Sequence, residues 1–270
     1  MKILLVRPKP AKETIGLQHV MLVEPLELEV LAATVSPGHE PVIADLILER
    51  RSFAWFLRRE RPDVVAVTGY LTNVPEMIAY CREAKRFIPQ IHTIVGGVHV
   101  EVIPEDLDDM AVDFRVVRNA TTVFPRLIAH LEGEGACPAG VLRPREQRRD
   151  HPMPDFVFDS PRPRRDLTAR YRDRYFYIFH DRVALLKTAY GCPYSCNFCF
   201  CRVITGDKYH QRPLDEVLDE LAQIQEREIY IVDDDFLVSP QRVLGFLDGV
   251  QRPHLDKSFL IYGRSDFIVN

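Results

Sequence analysis

The sequence predicts an α/β protein in which two series of strands and helices are joined by an irregular connection. Five apolar runs alternate with helix-like patterns between residues 2 and 131. A connection rich in arginine follows, with six prolines between residues 138 and 163, and a second series of strands and helices begins at residue 183. Strands that alternate with helices over short connections are typical of a parallel sheet covered by helices. We therefore predict a doubly wound sheet followed by a second, shorter α/β region.

Hydrophobic patterning gives the elements of the first region in order. Short apolar runs are typical of strands buried on both faces of a parallel sheet, and they occupy residues 2–7, 41–46, 63–68, 91–96 and 112–117. Apolar faces with helical spacing lie between the strands, at residues 25–35, 73–88 and 121–131. Cys81 lies on the second of these faces and is predicted to be an inert core residue. Five strands with helices between them predict one doubly wound unit.

The second region begins after a segment that shows no sustained periodicity. Residues 138–165 are predicted to form a semi-extended, solvated connection. The aromatic stretch at 171–179 is expected to pack against a neighbouring domain, with an RNA-binding platform as the alternative. Beyond it the patterns again alternate, with strands at 183–189, 229–232 and 259–262 and helices at 214–225 and 240–250.

Composition excludes several classes of protein. Hydrophobic residues make up 46% of the 270 residues, which is too many for a disordered chain. The 35 lysines and arginines nearly balance the 39 aspartates and glutamates, so the whole-chain charge attracts neither nucleic acid nor an anionic membrane unless a local patch is present. The first residues lack the apolar core of a signal peptide, and no run approaches the roughly 20 apolar residues of a membrane span. We expect a cytoplasmic protein that has neither nucleic acid nor a membrane as its partner.

Glycines and a hydroxyl-bearing residue follow two strands of the first region. Thr68-Gly69 ends the third run, and Gly96-Gly97-Val98-His99 ends the fourth. In doubly wound sheets, ligands bind beyond the carboxyl ends of the strands. Paired glycines let a ligand approach the backbone closely, and a threonine hydroxyl can hydrogen-bond its polar tail. Tight strand-to-helix turns are the alternative interpretation, and neither a GxGxxG fingerprint nor a P-loop supports a nucleotide-phosphate site.

Around these strand ends the chain resembles the cobalamin-binding domain that precedes the catalytic domain in many B12-dependent radical S-adenosylmethionine (SAM) proteins. The similar features are RPKP after the first strand, the Thr-Gly pair at 68–69, and two longer stretches, GLQHVMLVEPLELEVLAA at 16–33 and VGGVHVE at 95–101. The resemblance covers nearly all of residues 1–133 and implies a flavodoxin-like fold that holds a corrinoid across the strand ends. The residues that it places around the nucleotide tail are Thr68, Gly69, Gly96, Gly97, Val98 and His99.

Two departures from that family concern the corrinoid site. Many cobalamin domains carry Asp-x-His-x-x-Gly after the second strand, and the histidine binds cobalt from below; here Asp45 is followed by Ile47 and Arg50 at the matching positions. We therefore expect a corrinoid without a protein histidine on cobalt. After the fifth strand, relatives usually read Gly-Glu-Gly-Glu, whereas this chain reads Arg-Asn-Ala-Thr at 118–121. This bulkier, basic turn can weaken the site.

Four of the six cysteines fall between Cys192 and Cys201. Such clustering in a reducing compartment indicates a metal site rather than disulfides. The spacing C-x3-C-x2-C puts the thiolates of Cys192, Cys196 and Cys199 in one short loop, where they can ligate one four-iron cluster and leave one iron open. Zinc is the alternative, with Cys201 as fourth ligand, but this spacing is not a usual one for zinc. Cys201 is therefore predicted not to be a ligand of the cluster.

This motif, which follows a strand and has an aromatic residue before its last cysteine, resembles the radical SAM signature. The resemblance implies that Cys192, Cys196 and Cys199 hold a four-iron, four-sulfide cluster whose fourth iron chelates SAM, and that Phe198 lies against the adenine. In the family, an electron from the cluster cleaves SAM to methionine and a 5′-deoxyadenosyl radical, which removes hydrogen from the substrate. An external electron donor of the flavodoxin or ferredoxin type is implied as a partner.

Three successive carboxylates, Asp233 to Asp235, follow the strand at 229–232. Because like charges repel one another, such a run suggests a polar ligand or a cation, with a solvated loop as the alternative. Radical SAM relatives place their contact to the SAM amino group at this position, so the resemblance makes Asp233 and Asp234 candidates. Arg264, after the last predicted strand, is the candidate for the SAM carboxylate.

The expected domains are a cobalamin-binding domain at 1–135, a linker at 136–181 and the N-terminal part of a radical SAM domain at 182–270. The last of these holds about three strand-helix units, whereas a complete barrel of eight units takes about 250 residues. We therefore expect an incomplete (β/α) barrel in a C-terminally truncated chain, or in one that needs a partner chain.

The resemblance favours a cobalamin-dependent radical SAM enzyme that transfers a methyl group to an unactivated carbon of a small molecule. Its implied cofactors are the four-iron, four-sulfide cluster, SAM and cobalamin. Radical SAM rearrangement or oxidation is one alternative, and a non-catalytic corrinoid-binding or cluster-binding module is the other. No catalytic side chain is predicted beyond the residues that bind these cofactors.

Overall fold

The computed structural model describes residues 1–11, 14, 16–151, 153–251 and 255–269. Pro152, one of the six prolines of the predicted connection, lies outside the described residues. The strands are β1 Lys2–Arg7, β2 Met21–Leu22, β3 Glu40–Asp45, β4 Val64–Thr68, β5 His92–Gly96, β6 Phe114–Val116, β7 Val141–Leu142, β8 Phe176–Tyr177, β9 His180–Asp181, β10 Ala184–Leu186, β11 Ala189–Tyr190, β12 His210–Gln211, β13 Glu228–Ile231 and β14 Ser258–Leu260. The helices are α1 Leu26–Ala33, α2 Phe53–Glu60, α3 Val74–Phe87, α4 Val98–Val102, α5 Ala120–Leu131, α6 Cys201–Thr205, α7 Leu214–Gln223, α8 Pro240–Val250 and α9 Ser265–Val269. Among the described residues, no helix combines the length and the apolar character that a membrane crossing requires.

The chain folds into two compact units that do not follow one another along the sequence. The first unit comprises Met1–Gly16 and Pro25–Arg170, and the second comprises Leu17–Glu24 and Tyr171–Asn270. Most of the segment predicted as a linker therefore belongs to the first unit, and a short N-terminal segment belongs to the second. The domain boundaries expected from the family stay a prediction.

The first unit is built on a six-stranded sheet in the order β3-β1-β4-β5-β6-β7. The first five strands of this order are parallel, and β7 is antiparallel to β6. Numbered along the chain, the parallel strands run 2-1-3-4-5, which is the order of flavodoxin-like folds. The predicted fold class of this region is confirmed.

Helices cover both faces of the sheet. Side chains of β1 alternate between the faces, so that Leu4 lies in the apolar layer under α2 and α3, whereas Ile3 and Leu5 lie in the layer under α1 and α5. Cys81 is fully buried in the first of these layers, and burial raises the pKa of its thiol to about 12. A buried thiol that stays protonated is unreactive, so the prediction of an inert core cysteine is confirmed.

The short helix α2 is not among the elements predicted from the sequence. It begins at Ser52, whose Oγ accepts a hydrogen bond from the N–H of Trp55 at 3.3 Å, and it ends at Arg61 in the left-handed conformation. Its buried stripe consists of Phe53, Phe56 and Leu57. A stripe of this length, set among arginines, gives little periodic signal.

Residues between 136 and 170, most of the predicted linker, are packed on the first unit. β7 extends the sheet beyond β6. The guanidinium of Arg115, a residue only 1% exposed, donates hydrogen bonds at 3.1, 2.5 and 2.7 Å to the main-chain oxygens of Pro104, Arg143 and Glu146. Because hydrogen bonds from a buried arginine hold this stretch, it needs no apolar stripe, and its sequence shows no periodicity. The structure therefore packs these residues where the sequence suggests a solvated connection.

The second unit contains a parallel sheet in the order β10-β13-β14. Helices α7 and α8 pack on one face of it, over buried apolar residues that include Ala184, Leu186, Val217, Leu221, Ile229, Ile231 and Phe246. A separate antiparallel sheet joins β2 to β8 and β9. The predicted series of three strands with two helices between them is present.

A buried ion-pair group holds residues 17–24 in the second unit. The side chain of Arg172 donates from Nε to Glu226 at 2.7 Å and from an Nη atom to Glu24. The other carboxylate oxygen of Glu24 accepts a hydrogen bond from the N–H of Leu185, in β10, at 2.5 Å. Glu24 and Glu226 are both buried, and the guanidinium of Arg172 offsets part of the cost of burying their charges.

Candidate functional site

The loops that follow β4 and β5 lie side by side at the carboxyl edge of the first sheet. Thr68 and Gly96 are partners in the sheet register, so the glycines after them meet. Gly97 has a φ of +103°, and a Cβ atom there would lie 2.6 Å from Thr68 Oγ1 and 3.1 Å from the nitrogen of Gly69. Only glycine suits this position, because the backbone conformation and the close approach both exclude a side chain. The structure thus gathers these four predicted residues into one group.

Val98 and His99 follow Gly97 directly and start α4. His99 is 7% exposed, and its Nε2 lies 2.8 Å from Oδ2 of Asp106. The imidazole is therefore held by a carboxylate of its own unit. A contact from His99 to a nucleotide tail stays a prediction.

Asp45, at the end of β3, is fully buried. Its Oδ2 accepts a hydrogen bond of 3.3 Å from Arg7 at the end of β1, and its Oδ1 accepts one of 3.2 Å from the N–H of Ile47. The carboxylate thus ties two neighbouring strand ends together. The position at which other cobalamin domains carry the ligand histidine holds the aliphatic side chain of Ile47.

Asn119 lies in the turn after β6 that departs from the family sequence. Its φ of +53° is a left-handed conformation, which asparagine adopts more readily than most residues other than glycine. Its side chain donates a hydrogen bond of 2.7 Å to the main-chain oxygen of Asp155 and accepts one of 2.9 Å from the N–H of Val157. The turn therefore keeps a glycine-like backbone and also fixes the segment that crosses it.

A two-stranded antiparallel ladder closes the cysteine-bearing loop at its base. β11 and β12 pair Tyr190 with His210, so the residues between them form one loop. Gly191 begins this loop with a φ of +72°, and a Cβ atom there would collide with the main-chain oxygen of Lys208. The loop is therefore anchored directly beyond the carboxyl end of β10.

Cys192, Cys196 and Cys199 lie in this loop with free, partly buried side chains. The N–H of Cys199 donates to the oxygen of Cys196 at 3.2 Å, which makes a tight turn between them. In the part of the chain that the structure describes, no three side chains of His, Cys, Asp or Glu are gathered closely enough to hold a single metal ion. A four-iron cluster takes each thiolate on a different iron, and three sulfur donors in one loop fit that chemistry. Their role as ligands stays a prediction.

Phe198 and Cys201 flank the last of these cysteines. The ring of Phe198 is on the surface of the loop, since the residue is 88% exposed. The Sγ atom of Cys201 lies 3.2 Å from Oδ1 of Asp234. A thiol that donates to a carboxylate is protonated, whereas a metal ligand is a thiolate. This geometry supports the prediction that Cys201 is not a ligand of the cluster.

Asp233 is 2% exposed and braces the strand end that leads into the loop. Its Oδ1 accepts hydrogen bonds from the N–H groups of Thr188 and Ala189 at 2.7 and 3.0 Å, and its Oδ2 accepts one from Thr188 Oγ1 at 2.5 Å. Burial raises the pKa of this carboxyl, and the three hydrogen bonds act in the opposite direction. Asp233 therefore positions the base of the loop, and a direct contact with SAM stays a prediction.

Asp235 belongs to the predicted run of three carboxylates but is not among the residues predicted to contact SAM. It is 3% exposed and lies near Cys192. Its Oδ1 accepts a hydrogen bond from the N–H of Leu237 at 3.0 Å, whereas its buried Oδ2 has no hydrogen-bond partner in the described chain. Leaving a buried carboxylate oxygen unpaired is costly, and an ammonium group of a ligand would relieve that cost. Strand alternation is the sequence signal that could have indicated Asp235. The alternation continues past β13, so that Asp233 and Asp235 are buried and Asp234 is exposed.

Arg264 follows β14 and reaches the cysteine-bearing loop. Its guanidinium carbon lies 4.2 Å from the centre of the Tyr194 ring, and an Nη atom pairs with Asp266 at 2.9 Å. The ring of Tyr194 also lies 6.3 Å from that of Phe267. The structure therefore brings the predicted SAM-carboxylate residue to the loop that carries the cysteines.

Comparison with known proteins supports the assignment of both units. The family model for a B12 binding domain matches residues 14–128. The hopanoid C-3 methylase of Methylococcus capsulatus is 31% identical over an alignment of 281 positions. This alignment covers 100% of this chain and 53% of the relative. The cobalamin-dependent radical SAM methyltransferase TokK of Streptomyces tokunonensis is 25% identical over 204 residues, 67% of this chain and 28% of the relative. The chain thus spans about half the length of the first relative and less of the second.

A solved structure shares the fold. The cobalamin-dependent SAM radical enzyme OxsB, with aqua-cobalamin and SAM bound, matches with a TM-score of 0.76 and 16% identity over 96% of this chain and 38% of that protein. At this level of identity the likeness concerns the fold. It covers both compact units.

Proposed function

We propose a function from the premise that this chain belongs to the cobalamin-dependent radical SAM proteins. The protein transfers a methyl group to an unactivated carbon of a small molecule, as a methyltransferase of that type. One observation carries the proposal: three thiols lie in a loop anchored beyond β10, beside the buried and unpartnered Oδ2 of Asp235. The match of residues 14–128 to a B12 binding domain supports the use of cobalamin as the second cofactor.

In the second unit, we assign the cluster to the thiols of Cys192, Cys196 and Cys199. When bound, the cluster supplies the electron for reductive cleavage of SAM, and the corrinoid supplies a carrier for the methyl group. Oδ2 of Asp235 accepts from the SAM ammonium group, and Arg264 donates to the SAM carboxylate. Phe198 covers the adenine. Asp234 stays a candidate for the amino group, and Asp233 holds the loop base through Thr188.

In the first unit, the corrinoid tail binds at the strand ends that carry Gly69, Gly96 and Gly97, and Thr68 offers it a hydroxyl group. Gly97 lets the loop after β5 pack closely against Thr68 and Gly69. Val98 and His99 complete the proposed contacts. A flavodoxin-type or ferredoxin-type electron donor and a reducing, cytoplasmic setting belong to the same proposal. Reductive cleavage of SAM consumes an electron, and free thiols persist in a reducing compartment.

For the substrate, we propose an apolar small molecule, with a hopanoid as the first one to test. The support is the 31% identity to a hopanoid C-3 methylase, which extends over the whole of this chain. The intact gene product is reconstituted with iron, sulfide and cobalamin and given SAM whose methyl group is deuterated, with dithionite as reductant. We expect 5′-deoxyadenosine to form and deuterated methyl to appear in the substrate. 5′-Deoxyadenosine without methyl transfer would contradict methylation of the hopanoid. Failure to form 5′-deoxyadenosine at all would contradict radical SAM activity.

Asp235→Asn tests the residue that the geometry adds to this site. We expect the affinity for SAM, and the rate of 5′-deoxyadenosine formation at low SAM, to fall at least about tenfold, because a charged hydrogen bond is lost at a buried position. Asparagine keeps the size of the side chain and its acceptor for the N–H of Leu237. Asp219→Asn, at an exposed position on α7, is the control and is expected to match the wild type. Equal SAM affinity in the two variants would remove Asp235 from the site.

The cobalamin site gives a prediction that does not depend on activity. Electron paramagnetic resonance of the Co(II) form is expected to show no splitting from a protein imidazole nitrogen, because Ile47 stands where the ligand histidine would be. His99→Ala is expected to leave the spectrum unchanged, since that imidazole is held by Asp106. Imidazole splitting that disappears in His99→Ala would show that His99 moves to bind the cobalt.

A further inference from the structure

Arginines are concentrated on the outer side of α2 and at the end of α3. Residues 50–61 contain five arginines against one glutamate, although the whole chain has a net charge of −4. The α2–α3 arginine face is defined by six exposed arginines and two aromatic residues, namely Arg50, Arg51, Arg58, Arg59, Arg61, Arg86, Trp55 and Phe87. Whole-chain charge predicts no attraction to an anionic membrane unless a local patch is present, and this face is such a patch.

The charge on this face is largely uncompensated. Among the described residues, Arg59 alone of the six arginines has an ion pair, at 3.2 Å to Glu60, and Glu60 is shared with Lys2 at 2.7 Å. Like charges held close together repel one another. The core contact of α2 does not use these arginines, because the stripe that it buries is apolar. An anionic partner would offset the repulsion.

The aromatic residues distinguish between anionic partners. The guanidinium carbons of Arg51, which precedes α2, and Arg59, one turn after Trp55, lie 4.9 and 5.0 Å from the centre of the Trp55 ring. Arg58 lies 6.0 Å from the ring of Phe87, which is 43% exposed. Single-stranded nucleic acid needs open ring faces on which bases can stack, and these rings are already covered by guanidinium groups. Aromatic rings flanked by arginines are typical of a protein surface at a lipid headgroup layer.

We propose that the α2–α3 arginine face binds the surface of a bilayer that contains anionic lipids. Guanidinium groups pair with lipid phosphates, while Trp55 and Phe87 lie at the level of the headgroups. Basic residues near an anionic membrane each strengthen binding about fivefold. Removing three of them is therefore expected to weaken binding about a hundredfold.

The chain contains one tryptophan, and it is Trp55. Its fluorescence therefore reports on this face alone. We expect vesicles of equal parts phosphatidylglycerol and phosphatidylcholine to shift the Trp55 emission of the 270-residue chain to shorter wavelength and to protect it from acrylamide. Vesicles of phosphatidylcholine alone are expected to do neither. High salt is expected to reverse the binding, because it screens the charges.

The triple variant Arg51→Gln, Arg58→Gln, Arg59→Gln tests the face directly. Its control is Arg126→Gln, Arg145→Gln, Arg149→Gln, which removes three exposed arginines elsewhere in the first unit. Each set contains one arginine paired with an adjacent acid, Arg59 with Glu60 and Arg149 with Asp150. The affinity for anionic vesicles, measured by sedimentation, is expected to fall about a hundredfold in the first variant. In the second variant we expect it to stay near wild type.

Four outcomes would overturn the proposal. The first is no binding to anionic vesicles, and the second is equal binding to neutral ones. The third is binding that leaves Trp55 emission unchanged or that is lost equally in both triple variants, since either result would place it elsewhere. The fourth is a response of Trp55 to polyuridylate or to an acidic protein but not to vesicles, which would assign this face to that partner instead.

Discussion

Alanine in place of Cys192, Cys196 or Cys199 is expected to remove most of the iron and sulfide that the protein takes up on anaerobic reconstitution. We expect about four irons per wild-type chain and fewer than about one in each variant, because each thiol serves a different iron and the loop offers three. Iron and acid-labile sulfide per chain, with the visible absorbance of the cluster, measure the loss. This is the largest effect that we expect from any single substitution.

Cys201→Ala is the matched control, since Cys201 lies in the same loop but donates to Asp234. Its iron and sulfide content is expected to stay near wild type. Two results would refute the cluster assignment. One is an equal loss of iron in Cys201→Ala, and the other is stoichiometric zinc in the wild-type protein.

Arg172→Leu is expected to lower the free energy of unfolding of the second unit by about 3–5 kcal/mol. The substitution removes the guanidinium that pairs with two buried carboxylates, those of Glu24 and Glu226. It also removes the contact from Arg172 to residues 17–24, while the hydrogen bond from Leu185 in β10 to Glu24 stays. Urea denaturation followed by circular dichroism measures the loss, and proteolysis within residues 17–24 reports the release of that segment.

Two further variants separate buried charge from ordinary packing. Arg227→Leu removes an arginine from an exposed pair with Asp256, at 3.5 Å, and is expected to cost less than about 1 kcal/mol. Adding Glu24→Gln and Glu226→Gln to Arg172→Leu is expected to recover part of the loss, because the uncompensated charges disappear. If Arg172→Leu costs no more than Arg227→Leu, the ion-pair group does not hold the unit together.

Features that depend on local pattern were predictable from the sequence. Parallel strands buried on both faces read as apolar runs, and their carboxyl ends locate ligand sites. That rule was enough to select Thr68 and Gly96, which the register then places side by side. The cysteine spacing likewise needs only local sequence. The difference between Asp233 and Asp235 was not predictable, because hydrogen bonds from distant Thr188 satisfy one carboxylate and leave an oxygen of the other free.

Features held by buried arginines were not predictable for a different reason. Arg115 fixes the segment after residue 142 through main-chain oxygens, which every residue type carries. Arg172 joins Glu24 across a sequence separation of 148 residues. Neither interaction repeats with the period of a helix or a strand. Patterning therefore detects the layered cores and misses the segments that a single charged side chain attaches to them.

The ion pair between Glu24 and Arg172 also sets an order of events on the ribosome. Glu24 is synthesised 148 residues before its partner, which at 5–20 residues per second is a delay of about 7 to 30 s. The six strands of the first sheet are complete by residue 142, so that sheet can close while residues 17–24 still lack the strands and the cation that receive them. During translation residues 17–24 therefore lie in the nascent chain without these partners until the second unit has been synthesised. A pause before residue 171 would lengthen that interval, and fast translation through the region would shorten it.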